Sequence, residues 1–203
     1  MIHISRLYAI LDPSCFTANE MFSAADELKA AGVILLQYRN KSGNARQMLD
    51  HARELKRRLG SSVQLIMNDR ADLALVADFD GVHVGQDDLS PAGARKVIGD
   101  QLWLGVSTHN PEQVAIADQT SADYIAVGPV FATASKRNPD PVIGLAGVRR
   151  ARELTRKPLV AIGGITRANC RSVIEAGADS VAVISDLLPE PGKSAEAFLR
   201  ILG

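Results

Sequence analysis

Eight short β-branched or aliphatic runs, each followed by a segment patterned as a helix, recur along nearly the whole chain. This alternation restricts the fold more than any other feature, because βαβ units pair their strands in parallel. The runs are Leu7–Leu11, Val33–Arg39, Gln64–Asn68, Gly81–Val84, Trp103–Ser107, Tyr124–Val127, Leu159–Ile162 and Ser180–Ile184. Several are almost wholly apolar, as strands are when helices cover both faces of their sheet. The segments between them carry helix punctuation. Thr17 and Glu20 have capping-box spacing with Gly32 at the far end, and Ser90-Pro91 and Asn110-Pro111 each set an N-cap before a proline. Thr166 is predicted to open a helix running to Gly177. No linker or low-complexity tract interrupts the pattern. The prediction is an α/β fold, a single (β/α)8 TIM barrel over residues 1–203, with its active site at the C-terminal ends of the strands. An open doubly wound sheet is the alternative, since strand count alone cannot prove closure.

Charge excludes some functions. Lys plus Arg and Asp plus Glu both total 23, so no global field draws the protein to nucleic acid or to a membrane, and any anion site must be local. No apolar run approaches the ~20 residues of a spanning helix. The N-terminal MIHISRLYAILD is too short and mixed for a secretory signal. Cys15 and Cys170 lie far apart and form no metal-spaced cluster, so a reduced, cytoplasmic chain is expected.

Nearly every unusual polar cluster falls at the end of a predicted strand, where βα loops build the site of such a barrel. After the second strand, Gln37, Arg39 and Lys41 share one face by period-two alternation, with Tyr38 and Asn40 on the other. An amide followed by two cations suits a polar ring and then a phosphate. Asn68-Asp69-Arg70 ends the third strand, and Gly85-Gln86-Asp87-Asp88 follows the fourth. Adjacent strands lie roughly 4.8 Å apart, so Asp69 and Asp87 or Asp88 can share one cation. Mg2+ fits one or two carboxylates completed by substrate phosphates and water. Helix capping by Asp69 and Asp88 is the competing reading, and spacing does not separate the two.

Ser107-Thr108-His109 closes the fifth strand without a G-x-S-x-G elbow, which argues for a hydrogen-bonding rather than a nucleophilic serine. His109 reads equally as an acid–base group or a partly buried polar residue, and His83, between two valines, reads as a core histidine. The loop Gly128–Lys136 combines the hydroxyls of Thr133 and Ser135 with the cation of Lys136. Gly163-Gly164 after the seventh strand and Ile184-Ser185 after the eighth occupy the positions where this fold most often binds phosphate.

Together, Gln37-x-Arg39-x-Lys41, Asn68-Asp69-Arg70, Gly81-Val82-His83-Val84-Gly85-Gln86-x-Asp88, Gly128-Pro129…Thr133-x-Ser135-Lys136 and Ala161-Ile162-Gly163-Gly164-Ile165 resemble the thiamine-phosphate synthase family, in order and spacing, from about Leu7 to Ser185. The resemblance implies a transferase of thiamine biosynthesis. It would join a hydroxymethylpyrimidine diphosphate to a thiazole phosphate with Mg2+ as cofactor, releasing pyrophosphate. It further implies that Gln37 hydrogen-bonds the aminopyrimidine, that Arg39, Lys41, Asn68 and Lys136 hold the diphosphate, and that Asp69 and Asp88 bind the metal. Ser107 would lie beside the reacting methylene, and Thr133, Ser135, Gly164, Ile184 and Ser185 would hold the thiazole phosphate. Ser107, Lys136 and Lys41 are the candidate catalytic residues. Ser135 stands where the family more often has a second threonine, which keeps the hydroxyl. Few residues precede Leu7, so the extra N-terminal helix of longer members is expected to be absent, which leaves the contacts of a possible homodimer undefined. The rivals are a related thiazole tautomerase, with a proton-transferring histidine at the position of His109, and a barrel that senses a phosphorylated metabolite without turnover.

Overall fold

The computed structural model describes residues 2–133, 140–188 and 190–203. Eight parallel strands close into a barrel in sequence order, β1 (Leu7–Leu11), β2 (Leu35–Tyr38), β3 (Gln64–Asn68), β4 (Gly81–Val84), β5 (Trp103–Thr108), β6 (Tyr124–Val127), β7 (Leu159–Ile162) and β8 (Ser180–Val183). The last strand pairs back on the first, Leu7 opposite Val181 and Ala9 opposite Val183, which removes the open-sheet alternative. Helices α1 (Ala18–Ala30), α2 (Ala45–Leu59), α3 (Ala71–Val76), α4 (Pro91–Ile98), α5 (Pro111–Asp118), α6 (Gly144–Leu154), α7 (Cys170–Glu175) and α8 (Pro191–Leu202) follow the strands in turn. None of the described helices is long and apolar enough to cross a membrane.

Five strands have the predicted limits, and the other three differ for local reasons. Val33 gives its N–H to the Leu28 carbonyl, closing the end of α1, so the second strand starts at Leu35. The fifth extends to Thr108, whose carbonyl accepts from Gly128 N–H across to the next loop. The eighth stops at Val183 because Ile184 turns into a short 3-10 helix, Ser185–Leu187. The helix expected from Thr166 begins only at Cys170: Asn169 caps the Thr166 N–H with its side chain, so residues 166–169 form a turn. The capping box of Thr17 and Glu20 is present, and Ser90 and Asn110 cap α4 and α5.

Two apolar cores result from strand alternation. One lies between barrel and helices and contains Leu36, Leu65, Val82, Leu104, Ile125 and Phe198 among others. The other fills the barrel interior with Tyr8, Ile10, Leu35, Ile66, Tyr124, Ala126, Val160 and Ala182. Above this inner core the inward positions of β2 to β5 turn polar, with Gln37, Asn68, His83 and Ser107 on four successive strands. The registers set Asn68 opposite His83, whereas Gln37 stands opposite Ile66, two residues before Asn68, and His83 stands opposite Gly105, two residues before Ser107.

The lower interior tolerates no added bulk at Gly81, where a Cβ would stand 2.6 Å from the Trp103 carbonyl oxygen and 2.8 Å from Ile66 Cδ1. Gly81→Ala is expected to cost at least about 2 kcal/mol, the scale of overpacking a filled core. Urea unfolding followed by the fluorescence of Trp103, the single tryptophan, measures this directly. An unchanged midpoint would contradict the packing described.

Candidate active site

A cavity of about 450 Å³ opens at the C-terminal mouth of the barrel. Its wall on β2 to β5 is polar, and its wall on β1 and β6 to β8 is built largely from Ile10, Ala126, Val160, Ile162 and Ala182. Gln37, Arg39 and Lys41 line it, whereas Tyr38 and Asn40 face the other way: Asn40 Nδ2 donates to the Tyr38 hydroxyl, which also meets His51 Nδ1. Gln37 sits deepest and is buried, and its Nε2 donates to the Tyr8 hydroxyl at 2.8 Å. Arg39 is held by an ion pair with the buried carboxylate of Asp12, which also accepts from the backbone and hydroxyl of Ser14. Lys41 reaches furthest out, its side chain half exposed, and pairs with Asp69.

Asp69 and Asp88 meet. Each carboxyl is within hydrogen-bonding reach of the other, and both face Lys41. Burial pushes the Asp69 carboxyl up, Lys41 pulls it down, and Asp88 adds to the rise. For Asp88, burial acts upward but is outweighed by its bonds to Asp69 and to the Gly85 N–H and by the charge of Lys41, so its carboxyl is held down. Splitting two acids in this way is the response of a close, partly buried pair. Neither acid caps a helix. Asp69 takes a left-handed backbone, φ 62°, secured by its N–H on the His83 carbonyl at 2.8 Å, and Ser90 alone caps α4. A non-glycine residue in that conformation costs on the order of 1 kcal/mol. Next in sequence to Asp69, Asn68 lines the cavity, and its buried Nδ2 has no hydrogen-bond partner among the described residues.

The opposite rim comes from the loops after β6, β7 and β8. Thr133, Gly164, Ile184 and Ser185 all line the cavity. Ser135 and Lys136 lie outside the described residues. Gly163 and Gly164 have φ of 98° and 64°, and a Cβ on either would fall within 2.5 Å of Pro129 or the Ala132 carbonyl. The glycines therefore let the β7 loop pack directly on the β6 loop, tied by Val130 N–H to Ile162 O and Phe131 N–H to Gly163 O. This close approach is a packing reason for the Gly-Gly pair.

Comparison with known proteins is decisive at this point. A family profile described as thiamine monophosphate synthase matches residues 7–187. A thiamine-phosphate synthase of Koribacter versatilis is 62% identical over 99% of this chain and 97% of its own length, and one of Chloroflexus aurantiacus is 44% identical over 95% and 89%. The solved thiamine phosphate pyrophosphorylase of Pyrococcus furiosus superposes with a TM-score of 0.86 at 32% identity, covering 97% of this chain and 95% of its own. The chain belongs to the thiamine monophosphate synthase family. It is accordingly a transferase of thiamine biosynthesis.

Several lining residues of this family member escaped the sequence reading. Tyr8 lines the cavity from inside an apolar strand, where burial pattern alone does not reveal which side meets a cavity. His83 is buried like a core histidine, yet both ring nitrogens are engaged, Nδ1 with the Tyr124 hydroxyl at 3.1 Å and Nε2 with Ser107 Oγ at 2.8 Å, and it lines the site. Its neighbours at strand ends were a usable signal. Gln86, whose amide donates to the Ser107 carbonyl, and Gln113, which accepts from His109 N–H, brace the β4 and β5 loops. His109 lines the cavity with Nδ1 on the Gly128 carbonyl at 2.7 Å.

Burial lowers the pKa of His83 to about 4. Between pH 6.5 and about 4 the unfolded chain then binds a proton that the folded chain excludes, so stability falls as the pH drops through this window. From pH 7.5 to 5 the wild type should lose about 2 kcal/mol more than His83→Gln, at 1.36 kcal/mol per pH unit below 6.5. Denaturant titrations of both proteins at the two pH values measure the difference, and parallel pH profiles would contradict a neutral, buried His83.

Proposed function

We propose that the cavity condenses 4-amino-2-methyl-5-hydroxymethylpyrimidine diphosphate with a thiazole phosphate, giving thiamine phosphate and pyrophosphate by a dissociative substitution assisted by Mg2+. The observation that carries this reading is the meeting of Asp69 and Asp88 in one cavity with Lys41 beside them and with Asn68, whose Nδ2 has no partner among the described residues, lining the same cavity. Among the described residues no group of three or more His, Cys, Asp or Glu side chains can hold a metal by itself. Two carboxylates beside Lys41 suit a hard cation that takes the rest of its shell from water and substrate phosphates. The residues present fit Mg2+ on those terms, with Asp69 and Asp88 as its protein ligands. When bound there, the ion would neutralise charge on the departing diphosphate.

The chain's own groups would do the rest by charge and position. Lys41, the Asn68 amide, Arg39 and Lys136 would receive the diphosphate, with Arg39 kept in place by Asp12. Gln37, deepest in the pocket, would orient the aminopyrimidine ring. The bond from methylene carbon to diphosphate oxygen breaks with its electron pair leaving on oxygen, and the electron-rich ring carries the resulting cation. Ser107 would lie beside that methylene. The thiazole nitrogen, its phosphate held by Thr133, Ser135, Gly164, Ile184 and Ser185, then forms the new carbon–nitrogen bond. No protein nucleophile is called for; preorganised charge and alignment of two substrates supply the rate. The apolar wall of Ile10, Ala126, Val160 and Ala182 limits the water that competes for the cation.

Purified protein incubated with both substrates and Mg2+ should yield thiamine phosphate, and removal of the metal by a chelator should abolish the product. Conversion of the thiazole tautomer alone would favour the isomerase, and binding without turnover would favour a sensor. Asp69→Asn and Lys41→Ala should each lower turnover roughly 10²-fold or more, the scale for losing one preorganised electrostatic group, with nearly unchanged folding. Wild-type rates in Asp69→Asn would refute its place in the reaction.

A further inference from the structure

A chain of four hydrogen bonds crosses the barrel interior beneath the cavity and joins two residues that face it. Gln37 Nε2 donates to the Tyr8 hydroxyl at 2.8 Å, Tyr8 meets the Tyr124 hydroxyl at 3.0 Å, Tyr124 meets His83 Nδ1 at 3.1 Å, and His83 Nε2 meets Ser107 Oγ at 2.8 Å. Burial pushes both phenols up, so each keeps its single proton. Tyr124 is fully buried and does not itself line the cavity. The space for it comes from Gly105 on β5, where a Cβ would stand 2.3 Å from the Tyr124 hydroxyl and 2.4 Å from His83 Nδ1. A side chain there would displace the central link.

Each hydroxyl has one proton to give, so in the arrangement where every hydroxyl of the row both accepts and donates, the direction of one bond sets the next. With Gln37 donating, Tyr8 gives its proton to Tyr124, and Tyr124 gives its own to His83 Nδ1. The His83 proton then sits on Nε2 and goes to Ser107. This leaves the Ser107 hydroxyl free to donate into the cavity, and it leaves Gln37 presenting its carboxamide oxygen and one remaining N–H. Turning the Gln37 amide over reverses all four bonds together. We propose that Tyr8, Tyr124 and His83 are positioning residues that lock this polarity, so that Gln37 selects a ring edge offering an amine donor next to a nitrogen acceptor.

The inference rests on the assignment of Gln37 to the pyrimidine made above, and it adds what sets the specificity. A 4-aminopyrimidine offers the matching edge. A 4-oxopyrimidine offers an acceptor next to an N–H donor, the reverse pattern, and meets it only if the whole chain turns over. Sites that hydrogen-bond a ligand edge discriminate strongly because a mismatch leaves buried groups unpaired.

The test is the dissociation constant, by calorimetry, of the 4-amino pyrimidine diphosphate and of its 4-oxo counterpart. Wild type should prefer the amino form by at least about 10²-fold. Tyr124→Phe touches neither Gln37 nor Ser107, so a merely structural loss would weaken both ligands alike. The relay instead predicts that the amino-to-oxo preference falls about tenfold or more, and that Tyr8→Phe, which loses one oxygen next to Gln37, lowers it likewise. A preference unchanged in a folded Tyr8→Phe or Tyr124→Phe protein overturns the relay while leaving the site assignment intact. Failure of wild type to bind the amino form would instead overturn the assignment, and the relay with it.

Discussion

Two carboxylates that leave neighbouring strands and end within reach of each other create a charge problem that the rest of the mouth is arranged around. Asp69 is turned inward by a left-handed backbone held on the His83 carbonyl, and Asp88 is turned back by its bond to Gly85 N–H. Among the described residues, Lys41 is the lysine that balances them. Such a pair is costly unless further positive charge arrives, and the proposed metal–diphosphate assembly would bring it. Asn68 Nδ2, without a hydrogen-bond partner among the described residues, has the same character, a desolvated donor whose cost an acceptor would offset.

Barrel geometry turns this local arrangement into a two-sided site. Inward positions on β2 to β5 are polar, whereas those on β1 and β6 to β8 are mainly aliphatic or alanine near the mouth. A leaving group rich in charge can be received on the first side while the ring systems lie against the second. The glycine pair after β7 packs that loop on the β6 loop, so the far rim is set by backbone contacts rather than by long side chains.

The barrel was legible from the sequence because its period is written in apolar runs whose length and covering do not depend on distant residues. Strand ends were read less well at Val33 and Ile184, where helix closure and a 3-10 turn compete with the ladder for the same backbone groups. Gln37, Arg39 and Lys41 were readable as one face because alternation continues past the strand. Asp69 was ambiguous between a cap and a ligand, since a positive φ cannot be seen in the order of residues. Tyr8, Tyr124 and Asp12 were not legible as site components. Their roles depend on which inward side chains cross the barrel, as at the Tyr8–Tyr124 contact between residues 116 apart, and that is fixed only by closure.

The central claim is that the protein provides half of a metal site and the diphosphate the other half. Calorimetric titration with Mn2+, with and without saturating pyrophosphate, measures this directly. Mn2+ is predicted to bind at least about tenfold more tightly with pyrophosphate present, a coupling near 1.4 kcal/mol, and Asp88→Asn should remove the enhancement. Equal Mn2+ affinity in the two titrations, or an enhancement that survives in Asp88→Asn, would contradict the account.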